Sequence, residues 1–185
     1  MIPFATQAEF EAWLSEHHET ETEVWIKYAK KGTGIPTITY AEALDVALCY
    51  GWIDGQSKGL DEQYFMQRYT PRTKRSKWSK INCGKATALI EAGKMRPAGL
   101  RQVELAKADG RWDAAYASPA NATVPEDLQQ ALDANPDAAA FFATLDGRNR
   151  YAILHRTHDA KKPENRARRI DKFVTMLANK EKIYP

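Results

Sequence analysis

The chain has 185 residues, 43% of them hydrophobic, with two cysteines and a formal net charge of +3. That length can bury a core without covalent staples, and Cys49 and Cys83 lack the CxxC or Cys/His spacing of a zinc site, so a disulfide framework and a zinc module are both excluded. A pI near 8.8 is only mildly basic, so total charge does not call for nucleic acid; what matters is where the charge sits.

From the N-terminus, Thr6 followed by Glu9 has the form of a capping box, and Phe10, Trp13 and Leu14 supply a helical stripe up to about His18. Residues 23 to 29 alternate with the period of a strand, with Val24, Ile26 and Tyr28 on one side. Thr39 caps a second helix whose Ala43, Leu44, Ala47 and Leu48 form a buried face, and Gly51 ends it. Residues 52 to 54 and 64 to 69 read as further strands, joined across 55 to 62, with Trp25 and Trp52 expected in the core. The result is a small antiparallel sheet covered by helices.

Beyond Pro71 the pattern turns helical: 76 to 92 and 97 to 109, ended by Gly93 and Gly110, then a short connector at 111 to 116. Residues 118 to 125 are small, proline-containing and uncharged, which marks a linker. Four helices follow, at 126 to 133, 136 to 145, 146 to 160 and 163 to 180. The expected organisation is an α+β domain over 1–117 and a helical domain over 125–182.

The segment from Leu48 to Asn82 concentrates the chemistry. Arg68, Arg72, Lys74, Arg75, Lys77 and Lys80 lie close together, and no Asp or Glu occurs between Glu62 and Glu91. Trp52, Tyr64, Phe65, Tyr69 and Trp78 are interleaved with them, and flat rings beside cations suit stacked bases. The alternative is that the rings are core and the cations their rim. A second cationic group, Lys161, Lys162, Arg166, Arg168, Arg169 and Lys172, falls at the start of the last helix, where a solvated helix back is the default account.

Several motifs in order carry a resemblance. The runs at 47–55 (ALCYGWIDG), 68–72 (RYTPR), 76–82 (SKWSKIN) and 111–116 (RWDAAY), with 124–128 (VPEDL), 135–136 (NP) and 160–170 (AKKPENRARRI), resemble the YdeI/OmpD-associated bacteriocin-protection family. The resemblance implies a bacterial protein linked to resistance against bacteriocins or envelope stress, with an N-terminal part of YjbR/CyaY-like fold. It implies no defined reaction. The acidic N-terminus lacks the basic start and apolar run of a signal peptide and no stretch approaches a membrane span, so a cytoplasmic place is expected.

Catalytic signals are sparse. Asp54, at a strand end, is the one candidate general acid or ligand to a cationic substrate, set against an Asp that merely closes a turn; Glu42, Asp45, Asp61 and Glu62 could gather near it. His17 and His18 are adjacent, and His155 and His158 with Asp159 make only a weak metal constellation, so no metal is assigned. No GxSxG, P-loop, GxGxxG or HExxH pattern occurs, and no cofactor is assigned. The reading is therefore a protein that binds an anionic ligand, nucleic acid ahead of other polyanions, through Trp52, Arg68, Arg72, Lys74, Arg75, Lys77 and Trp78. Two rivals stand beside it: a small-molecule enzyme with a pocket at the Gly51–Gly55 turn, using Asp54 with Trp52 and Arg72, and a protein-interaction adaptor.

Overall fold

A computed structural model describes residues 1–185, and the chain divides into two compact units, Met1–Ala115 and Tyr116–Pro185. The class is α+β. Unit 1 holds β1 (Ile2–Pro3), α1 (Gln7–His17), β2 (Val24–Ala29), α2 (Tyr40–Cys49), β3 (Trp52–Gly59), β4 (Tyr64–Pro71), α3 (Lys80–Glu91) and α4 (Pro97–Ala108).

The sheet order is β1-β2-β4-β3. β4 pairs antiparallel with both β2 and β3, whereas β1 runs parallel to β2 through Ile2↔Ile26 and Pro3↔Lys27, so the sheet is mixed rather than purely antiparallel. A two-residue strand is too short to show a period, and its pairing is visible only in three dimensions. β3 and β4 are also longer than the sequence suggested. Asp61 closes their turn by accepting from the N–H groups of Gln63 and Tyr64, both at 2.8 Å, and the register between β3 and β4 shifts at an irregularity between Asp54 and Ser57. The buried Gln67 satisfies that irregularity, its Nε2 donating to Gly55 O at 2.8 Å.

Val24, Ile26 and Tyr28 face the core with Phe10 and Leu14 of α1, Ala43 and Ala47 of α2, Trp52 and Tyr69. Trp52 is 1% exposed and donates its Nε1 to His18 O at 3.2 Å. Trp25 falls on the opposite side. The alternation that buries Val24 and Ile26 leaves Trp25 half-buried, with Lys58 Nζ 5.0 Å from its ring, which corrects the expectation of a core tryptophan. α3 and α4 close a second cluster in which Leu44, Leu48, Trp78, Ala86, Val103 and Ala106 are buried.

Unit 2 is helical: a 3-10 turn at Pro119–Asn121, then α5 (Glu126–Asp133), α6 (Pro136–Ala143), α7 (Gly147–Asp159) and α8 (Pro163–Ala178). Leu128, Leu132, Phe142, Ile153, Leu154, Ile170, Phe173 and Leu177 form its core. Within the segment read as a linker, Ala122 and Val124 lie against that core. No helix is long and apolar enough to cross a membrane.

Candidate anion-binding loop

Between the end of β4 at Pro71 and the start of α3 at Lys80 lies the loop that carries most of the basic cluster. Its backbone is closed by two hydroxyls and a carbonyl of its own: Thr73 N donates to Ser76 Oγ at 2.9 Å, Arg75 N to Thr73 Oγ1 at 3.2 Å and Ser76 N to Thr73 O at 3.0 Å. Short hydroxyl side chains that capture nearby amides favour such turns over helix, which is why the helix expected from Ser76 starts only after Ser79. Ser79 caps α3 by accepting from Asn82 N at 3.1 Å.

Two arginines hold this loop from within. Arg72, 4% exposed, donates its backbone N–H to Gly51 O at 2.9 Å and its Nη1 to Lys77 O at 3.0 Å, and its guanidinium carbon lies 3.6 Å from the centroid of the Trp78 ring. Arg111 reaches back from the end of α4, its Nη1 donating to Ser76 O at 3.0 Å and Thr73 O at 3.3 Å while its Nε donates to both oxygens of Asp109. Desolvation works against the charge of Asp109, yet the side-chain and backbone bonds from Arg111 outweigh it and hold the carboxyl below its usual range. A planar fork that satisfies two carbonyls and a carboxylate at once is a role for arginine rather than lysine.

These tethers divide the expected ligand residues into two sets. Trp52 is core, and Trp78 is 2% exposed between Arg72 and Trp112, whose ring centroid is 4.9 Å away, so neither indole offers a free face to a base. Arg72 is engaged in the same packing. Arg68 is half-buried on β4 and paired with Glu23, its Nη2 2.6 Å from Oε2. Lys74, Arg75, Lys77 and Lys80 are exposed. They stand at the amino end of a helix with no acidic residue in its first turn, where the helix dipole adds positive potential. In the sequence Arg111 and Trp112 read only as a connector, since the partners they reach, Thr73, Ser76 and Trp78, lie far back along the chain.

Cys83 is pushed up by burial, against the lowering effect of Arg72, which suits a structural thiol and not a nucleophile. Cys49 behaves likewise, pushed up to about 11 by desolvation.

At the rival site, the Gly51–Gly55 turn, the Gly51 end is packed against protein while Gly55 is exposed. Gly51 has φ +74° and packs so closely on α4 that a Cβ there would sit 2.9 Å from Ala98 O and Gln102 Cγ. Asp54 lies opposite Tyr69 in the sheet and accepts a hydrogen bond from Tyr40 Oη at 2.8 Å, beside the buried pair Tyr28 Oη and Tyr69 Oη at 2.9 Å. Burial holds the pKa of both phenols well above the usual tyrosine range, so they remain neutral. Glu42, Asp45 and Asp61 have partners of their own. Glu42 forms the capping box with Thr39, Asp45 pairs with Lys85 at 2.6 Å, and Asp61 closes the hairpin. His17 and His18 each turn Nδ1 to a carbonyl of their own helix, Trp13 O at 2.8 Å and Leu14 O at 2.9 Å.

Neither the curated proteins nor the solved structures contain a match to this chain. Residues 121–180 match the family model described as bacteriocin-protection, YdeI or OmpD-associated, so the resemblance is carried by unit 2 and associates it with bacteriocin protection. The motifs around the basic loop fall under a different model. Residues 2–102, more than half of the chain, match the family described as domain of unknown function (DUF8412), and the chain belongs to that family.

Proposed function

We propose that this protein supports bacteriocin or stress protection by binding a polyanion, nucleic acid first, on the 72–80 loop, and that it does so in the cytoplasm, where Cys49 and Cys83 stay reduced. The observation that carries this reading is the division of labour among the loop's cations. Arg72 and Arg111 fix the loop backbone from inside, so Lys74, Arg75 and Lys80 are presented outward from a tied platform. A preorganised platform loses less entropy on binding than a loose one. With Trp78 buried, contact is to phosphates and not to stacked bases, so little sequence preference is expected.

The test is a salt titration of single- and double-stranded nucleic acid binding by fluorescence anisotropy. Each phosphate contact adds about 0.9 to the slope of log K against log salt for a duplex and about 0.7 for a single strand. A parent that binds in low salt and weakens with a slope of roughly 3 or more supports the loop as a phosphate cradle. Absence of salt-sensitive binding to either form sinks the reading.

A further inference from the structure

Unit 2 contains a cavity of about 390 Å³ built mainly on one face of α7. Arg148, Tyr151, His155 and Arg156 recur at helical spacing along it, and Tyr184, from the segment after α8, forms a wall. No carboxylate lines it. The wall is a built feature. Asn149, 1% exposed, accepts from Tyr184 N at 2.9 Å and donates to Tyr184 O at 3.2 Å, and it is itself tied to the helix cap through Asp146 Oδ2 at 3.0 Å. A buried amide that pairs with both backbone groups of one residue fixes that residue as a neighbouring strand would.

Two guanidinium groups address the Tyr184 ring, Arg148 at 4.2 Å and Arg156 at 5.7 Å from its centroid. An arginine stacked on a ring keeps N–H groups at its edge for an anion, and such a fork fits a carboxylate with two parallel bonds. Around these cations the lining is apolar, from Tyr151, Ala152, Pro119 and the face of Tyr184. Gly147, at the amino end of α7, leaves open space where a side chain would stand.

We infer that this cavity is a binding site for a small aromatic carboxylate, the ring lying against Tyr151 and Tyr184 and the carboxylate taken by Arg148 and Arg156. Its volume falls within the range of small-molecule pockets, and an apolar wall with a few placed cations suits a single charge on a flat body better than a polyanion. The site stands apart from the reading of the 72–80 loop, because none of its residues belongs to that loop.

The experiment is a calorimetric titration of the full chain with 1-naphthoate, with naphthalene-1-methanol as the neutral isostere and inorganic phosphate as charge without a ring. Naphthoate is expected to bind at least tenfold more tightly than either control. Arg148→Gln with Arg156→Gln is expected to abolish that preference. Both arginines are exposed, so the double variant keeps the parent's melting temperature, and Tyr184→Ala gives an independent loss through the wall. Equal binding of the alcohol and the acid, equal binding of phosphate, or an unchanged affinity in the arginine double variant overturns the site.

Discussion

The two basic segments, 68–80 and 161–172, each gather six Lys and Arg residues, yet the fold uses their charges differently. In α8, the arginines are engaged: Arg166 grips Asp127, with Nη2 2.8 Å from Oδ1, and donates Nη1 to Thr157 O at 2.8 Å, while Arg169 donates to Arg156 O at 2.6 Å. Glu164 and Asp171 are interleaved among its cations. In the 72–80 loop the arginine at the start is buried, Lys74, Arg75 and Lys80 stand outward, and no acid occurs in the segment. The difference teaches that counting Lys and Arg locates a region, whereas carbonyl acceptors within reach decide which of its cations remain for a ligand.

The comparison breaks most visibly at Trp78. If its ring is the floor on which Arg72 lies, Trp78→Ala should lose about 3 to 5 kcal/mol of stability in a chemical melt, as should Trp52→Ala. Arg72→Met keeps the stem but loses the bond to Lys77 O and the ring contact, and about 2 kcal/mol is expected. A Trp78→Ala chain that melts like the parent would return the ring to the set of ligand contacts.

Next in size is the charge contrast itself. Replacing Lys74, Arg75 and Lys80 with Ala should lower the salt slope for duplex binding by up to about 3 and leave the melt unchanged, since the three side chains are exposed. The matched triple at Lys161, Lys162 and Lys172 should change that slope little. Equal losses from the two triples would mean that both segments touch the ligand and that the distinction between them is false.

How much of the molecule is legible in its sequence follows from range. Thr6, Thr39, Asn135 and Pro136 announce their helices because a cap acts within a turn, and Gly51, Gly93 and Gly110 mark stops at positive φ. β1 escapes such a reading because two residues have no period, and the helix expected from Ser76 gives way because the Thr73–Ser76 closure competes with it locally. Residue type places the cations correctly but cannot assign them. It offers Arg72 and Trp78 as ligand contacts, whereas the burial that removes them depends on Trp112, and Arg111 braces the loop's carbonyls from the same distant turn. At Asp54 the two readings of a strand-end carboxylate differ only in whether a donor such as Tyr40 is present, and that donor comes from another element.

The smallest effect is a pH-dependent one in α8. The hydrogen bonds from Arg166 hold the Asp127 carboxyl below its ordinary range, with the guanidinium charge adding to them against some desolvation. A carboxyl whose folded value is depressed stabilises the fold above its unfolded pKa, about 3.9, and that contribution is lost as pH falls through the folded value. Arg166→Met should cost about 1 kcal/mol near neutrality, since Asp127 is part exposed and its pairing is screened. The gap between parent and variant should then narrow as melts are repeated from pH 5 down to about 2, because protonating Asp127 removes the same interaction from the parent. It should not close fully, as the bond to Thr157 O does not titrate. Asp146, whose carboxyl is also lowered by its bonds to Asn149, is present in both chains and cancels in the difference. A gap that stays constant across that range would assign the whole effect of Arg166 to its carbonyl bond, and Arg166 would then resemble Arg72, whose Nη1 donates to the Lys77 carbonyl.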